Sequence, residues 1–344
     1  MTMYCCRHCF SGDPTISWKI HQESRRKGTC DYCGSPDEPL LEPVALQSYF
    51  EPFGDIYEPS AADGRVLSEW LGVDWGLFET MPHEASLRLV SDIFDDPGLL
   101  GRLFTVKAGA GADLLELWNG FRESIKHSNR FFVDKIDQLD EALPLLESSD
   151  VPERLFRARI QTSDLAYPLS EMGAPPKDIC GNGRANPAGI PYLYLASHAN
   201  VAISEVRPSP GDKVTVATFA KPERSLTLID LRRPKSQLSP FSGEHPLHEL
   251  RKQLSLLENL GRELSAPVVP RLAQLEYLPS QYLCEQIKNI GFDGVIYNSS
   301  LSSEGWNYAI FNPSGFQATE CRTVLISGIT VEAKPYSNAE ASQP

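Results

Sequence analysis

The chain has 344 residues, 41% of them hydrophobic, enough for two domains of ordinary size or one large domain with a small module. Its 32 basic and 45 acidic side chains leave a net charge of −13, which works against nucleic acid or an anionic membrane as a default partner. No stretch approaches the roughly 18 uninterrupted apolar residues of a membrane span, and the opening residues lack an apolar signal core, so a soluble, cytoplasmic protein is expected.

Five of the eight cysteines, Cys5, Cys6, Cys9, Cys30 and Cys33, lie in the first tenth of the chain. Cys6-x2-Cys9 and Cys30-x2-Cys33, with 20 residues between them, have the spacing of a four-thiolate zinc ribbon. Cys5, His8 and His21 are spare ligands, and Cys5 could replace Cys6 in the first pair. Residues 1–42 are otherwise rich in Gly, Pro and charge, so a structural Zn²⁺ is expected to staple them. A closed four-thiolate site leaves no open position for catalysis.

From 43 to 149 the apolar residues recur at helical spacing: Leu67, Trp70 and Leu71; Leu87, Val90, Ile93 and Phe94; Leu114, Leu117, Trp118, Phe121 and Ile125; Ile136, Leu139, Leu143 and Leu146. The breaks at Met81-Pro82, Asp95 to Gly98 and Ala108 to Ala112 are turn chemistry, so an all-helical domain is expected. Within it, Arg122 and His127 have the form R-x4-H. Residues five apart point about 140° apart on a helix, so the pair is expected to be structural or on the surface.

Ser148 to Pro152 is expected to be a linker, after which short strands are expected: Leu155 to Ile160, Tyr192 to Ala196, Val214 to Phe219, Leu226 to Leu231, Gly294 to Asn298, Tyr308 to Phe311 and Val324 to Ile329. Helices are expected at Asn200 to Val206, His248 to Leu264 and Ser280 to Asn289. The absence of strict alternation predicts an α+β fold with a mixed sheet over 150–330. A polar tail, 331–344, is expected to be disordered.

Four pieces of this half carry candidate chemistry. Strand alternation puts Arg157 and Arg159 on one face, and arginine's planar fork suits phosphate. The loop Gly181 to Pro191 contains Arg184 and leads into Tyr192 and Tyr194, which share a strand face able to stack on a flat ring. Glu205 adjoins the apolar side of a short helix, where a carboxylate can be partly desolvated. Ser299 and Ser300 follow a strand, and Asn307 opens the next one.

The runs FRAR, GNGRANPAG, YLYLAS with ISEV behind it, and SQYLCEQIKNIGFDGVIYNSS, in this order over about Val151 to Thr330, resemble the RES domain family. That family is known for the toxin components of bacterial toxin–antitoxin pairs. The resemblance implies an ADP-ribosyltransferase-like fold and the degradation of NAD⁺ at its nicotinamide–ribose bond, by hydrolysis or with inorganic phosphate as acceptor. It makes Arg157, Glu205 and Ser299 the catalytic residues, with Tyr167, Arg184, Tyr194 and Asn307 as substrate contacts. An antitoxin or regulatory protein is the implied partner, and a homo-oligomer is expected. A helical domain before a RES domain is also similar to the HEPN type, some of which cleave RNA with an Arg and a His. A HEPN-type ribonuclease with the RES domain as nucleotide sensor, and a non-catalytic adaptor, are therefore the rival readings.

Overall fold

The computed structural model describes residues 2–61, 63–107 and 113–330. The expected tail at 331–344 and the turn at 108–112 lie outside the described residues. Two compact units divide the chain: Met1–Ser149 with Asn182–Pro187 and Thr227–Asn298, and Asp150–Gly181 with Ala188–Leu226 and Ser299–Pro344. Two segments from inside the 150–330 span thus cluster with the N-terminal residues. Among the described residues, no helix is long and apolar enough to cross a membrane.

In the first unit, the helix Pro14–Glu23 begins where Asp13 accepts the Ile16 N–H at 2.9 Å and Pro14 takes the first turn. Periodicity missed this helix, although the Asp-Pro pair announces it. The strands Arg26–Gly28 and Glu38–Leu40 pair antiparallel beside it. Helices Leu67–Trp75, His83–Phe94 and Asp113–His127 bury one stripe each, including Leu71, Trp75, Leu89, Val90, Ile93, Trp118, Phe121 and Ile125.

The all-helical expectation for 43–149 needs correction. Tyr57–Pro59 and Arg65–Val66 both pair antiparallel with Leu103–Val106. Strands this short show no period of their own and exist through pairing with distant residues. Phe10, Phe50, Phe53, Trp75 and Phe241 form one aromatic core, with Phe50 and Phe241 centroids 5.0 Å apart and those of Phe53 and Trp75 5.5 Å apart. The cysteine-rich segment shares that core and does not build one of its own. The unit also holds a mixed sheet in which Leu228–Asp230 pairs parallel with Gly294–Asn298 and antiparallel with Glu147–Ser148.

The second unit carries five antiparallel strands in the order Ala318–Leu325, Lys213–Ala220, Arg154–Ile160, Leu193–Ala196, Trp306–Ile310. Among the described residues the final strand both begins and ends earlier than the expected Val324 to Ile329, because its register follows Lys213 to Phe219 and stops at Leu325. Helix Ala199–Glu205 lays Val201 and Ala202 on Ala158, Ala196, Val214 and Val216. Full burial of Val201 contributes about 2 kcal/mol.

Candidate functional site

Glu205 is the last residue of its helix because Arg207 takes a left-handed φ of 49° and Pro208 cannot continue the turn. A carboxylate at a helix C-terminus faces the negative end of the dipole, a placement that costs about 0.3–1 kcal/mol. Two donors offset it. The Ser299 hydroxyl and the Asn307 Nδ2 amide both donate to Glu205 Oε1 at 2.7 Å. Ser299 Oγ also accepts the Leu301 N–H at 3.1 Å, and Asn307 is buried. The expected desolvation of Glu205 is corrected: the side chain is exposed, and hydrogen bonds hold it instead of an apolar wall. Of the two adjacent hydroxyls, Ser299 is the one that meets the carboxylate.

Register fixes Asn307. It pairs with Ala196, whose own partner on the other side is Phe156. One residue earlier, Trp306 is gripped twice by Ser197: the Ser197 backbone N–H donates to Trp306 O at 2.9 Å, and Ser197 Oγ accepts the Trp306 N–H at 3.0 Å. The same hydroxyl lies 2.9 Å from His198 Nδ1.

Arg157 lies beside a split in the sheet. Among the described residues, Arg154–Ile160 and Leu193–Ala196 share one registered pair, Phe156 with Ala196, and beyond it Arg157 Nη1 donates to the Tyr194 carbonyl at 3.0 Å. The guanidinium thus replaces a ladder bond between the strands. Burial first, and then Arg159, push its pKa down to about 10. Arg159 Nη2 donates to Gly173 O at 3.1 Å, and its guanidinium sits 5.8 Å from the centre of the Tyr167 ring. The Tyr167 N–H and the Gln161 amide both donate to the buried Thr215 Oγ1, which pins the loop that carries Tyr167.

The expected residues therefore fall into groups. Glu205, Ser299 and Asn307 meet directly. Arg157, Tyr194 and Tyr167 gather along the Arg154–Ile160 strand, and no hydrogen bond or ion pair among the described residues links Arg157 to Glu205. Arg184 belongs to the first unit, where its Nη1 donates to Ala266 O at 2.8 Å and its guanidinium lies 5.3 Å from the Tyr277 ring centre. Tyr192 does not share the half-buried situation of Tyr194. It is 1% exposed, packs 4.8 Å from Phe311, and has no face left for a ligand. Ser197 is a residue that sequence reasoning passed over, and Arg159, set beside Arg157 by the FRAR alternation, was left out of the expected substrate contacts.

In the first unit the Sγ atoms of Cys6, Cys9, Cys30 and Cys33 all lie within 4.8 Å of one another, three of these residues being buried. Cys9 and Cys30 sulfurs are 3.3 Å apart, and those of Cys6 and Cys33 3.5 Å. The Cys5 thiol turns away to donate to Leu41 O. This donor set fits a tetrahedral divalent zinc ion.

Arg122 and His127 are engaged separately. Arg122 Nε lies 3.3 Å from Glu263, and its Nη2 lies 3.8 Å from Glu276, which also holds the buried Lys126 at 2.6 Å. Burial raises the Glu263 pKa, with Arg122 and Lys126 pulling the other way. His127 is exposed, 4.0 Å from Glu123.

The family model for the RES domain matches residues 154–328, just over half of the chain. Among solved structures, the chain is similar to one in the crystal structure of the M. tuberculosis MbcT–MbcA toxin–antitoxin complex, at 14% identity and a TM-score of 0.36, over 55% of this chain and 93% of that one. No curated protein matches it.

Proposed function

Because the chain belongs to the RES domain family, we propose that it degrades NAD⁺ by breaking the bond between nicotinamide and ribose. The observation that carries this reading is the double donation of Ser299 and Asn307 to Glu205 Oε1. It fixes one exposed carboxylate while leaving the other oxygen's lone pairs for a ligand.

Nicotinamide in NAD⁺ is already cationic, so it leaves with the bonding pair as a neutral amide and needs no general acid. The ribose passes through an oxocarbenium-like state, and an acceptor oxygen closes the bond to its anomeric carbon. Glu205 offsets the developing positive charge and hydrogen-bonds a ribose hydroxyl. Ser299 and Asn307 hold the carboxylate in place, so that little reorganisation accompanies the reaction. Arg157 holds the pyrophosphate, and Tyr194 and Tyr167 supply aromatic contacts to the substrate. Water as acceptor gives ADP-ribose and a proton; inorganic phosphate gives the phosphorylated sugar.

The biological role proposed is a toxin or defence effector restrained by an antitoxin or regulatory protein. Cys6, Cys9, Cys30 and Cys33 would hold a zinc ion, which when bound cross-links the N-terminal segment and leaves catalysis to the other unit's residues. The arrangement disfavours the ribonuclease alternative, since Arg122 is committed to two carboxylates. The test is to incubate the purified chain with NAD⁺, with and without phosphate, and to follow nicotinamide and the second product. Wild type should release nicotinamide and Glu205→Ala should not; equal inactivity in both buffers would overturn the proposal.

A further inference from the structure

Arg157 and Arg159 stand two residues apart on one face of the Arg154–Ile160 strand, and among the described residues neither meets a carboxylate. Each spends one terminal nitrogen on a backbone carbonyl, at 3.0 and 3.1 Å, and the Nε of each is buried with no hydrogen-bond partner. Supply of acid is not the reason, because the chain carries 45 acidic side chains against 32 basic. Two neighbouring guanidiniums, partly stripped of water and left unneutralised, raise the energy of the folded protein unless an anion joins them. The low pKa of Arg157, caused by burial and then by Arg159, reports the same unmet charge.

Alternate positions on one strand face are about 6.6 Å apart, a span that a diphosphate lying between two arginine forks can bridge. Its two negative charges match the two cations. The Tyr167 ring beneath Arg159 holds that side chain in place without neutralising it.

We propose that Arg157 and Arg159 together form a diphosphate subsite, and that Arg159 is the specificity residue that makes the enzyme demand a phosphorylated pyridine nucleotide over the bare nucleoside. The idea rests on the NAD⁺-cleaving reading above, and extends it with a residue and a substrate class.

The experiment compares wild type, Arg159→Met and Arg159→Lys. Calorimetry with ADP and with adenosine reads the subsite without chemistry, and nicotinamide release from NAD⁺ reads its use. Wild type should bind ADP at least about tenfold more tightly than adenosine, a gap that Arg159→Met closes and Arg159→Lys narrows, since lysine keeps the charge but loses the fork. The KM for NAD⁺ should rise about tenfold or more in Arg159→Met, and a urea-unfolding transition as cooperative as that of the wild type shows that the variant is folded.

Undiminished ADP binding in a folded Arg159→Met overturns the proposal, as does an unchanged KM for NAD⁺. If Arg159→Met fails to fold, ADP binding by Arg159→Lys decides the question in the same way. Selective ADP binding by a wild type that releases no nicotinamide supports the subsite and sinks the catalytic reading instead.

Discussion

Replacing Gly305 with alanine tests how the site is held together. Gly305 does not occupy the left-handed region, so the requirement for glycine there is one of space. An alanine Cβ would fall inside contact distance of Ser197 Oγ, 2.7 Å from His198 Nδ1 and 3.0 Å from Val201 Cγ2. Ordinary contacts of this kind are about 3.5 Å or longer, so something must move by about 0.5–1 Å. Ser197 is buried just past the end of the Leu193–Ala196 strand and Val201 lies in the core on the helix, which leaves the 305–306 backbone to yield. That backbone carries the two Ser197–Trp306 hydrogen bonds and, at the next residue, the Asn307 amide that holds Glu205. A misplacement of about 1 Å costs on the order of a hundredfold in rate, and overpacking costs about 1–3 kcal/mol in stability. Initial rates of nicotinamide release should therefore show kcat falling about a hundredfold with KM little changed. Urea unfolding should show a protein that is still folded. A Gly305→Ala variant with wild-type kcat would refute the idea that the Ser197 latch positions the catalytic carboxylate.

Glu205→Gln keeps the side chain's size and one acceptor oxygen but removes its charge. Nicotinamide release should drop by about 10²–10³ with no change in melting temperature, and a stability loss without a rate loss would count against a catalytic role. Purified protein should carry one zinc per chain by elemental analysis; Cys9→Ser should lose it and unfold at lower denaturant, whereas Cys5→Ser should keep its metal. Arg122→Met removes a counter-charge from the buried Glu263, so that the folded state holds the Glu263 proton more tightly than the unfolded chain does. Its stability deficit of about 1–3 kcal/mol should accordingly grow as the pH rises above the ordinary carboxylate range in urea titrations, and a pH-independent deficit would contradict the network as drawn. His127→Ala should leave NAD⁺ cleavage and stability at wild-type values, since His127 is exposed and its nearest carboxylate, Glu123, is 4.0 Å away.

The features legible in the sequence are those whose information is local. Two CxxC knuckles declare a thiolate cluster because each spans a single turn, as the Cys9 N–H to Cys6 carbonyl bond at 3.1 Å shows. Helices Ala199–Glu205, Leu247–Ser265 and Leu278–Asn289, and strands such as Gly294–Asn298, lie within a few residues of their expected places, because an amphipathic period records one-sided burial wherever the partner comes from. The short strands Tyr57–Pro59, Arg65–Val66 and Leu103–Val106 escaped because the pairing that sustains them is remote.

The motifs and their order named Arg157, Glu205 and Ser299 and the family in which they recur. Their relations were decided by the tertiary structure. Ser299 reaches Glu205 across 94 positions of sequence and Asn307 does so across 102, and only sheet register brings such residues together. The same packing commits Arg184 to Ala266 and Tyr277, buries Tyr192, leaves Glu205 exposed on hydrogen bonds, and sets Arg159 beside Arg157 with no carboxylate bonded to either among the described residues. A side chain's chemistry is written in its identity. Its partners, and therefore its charge balance, are set by where distant backbone segments meet.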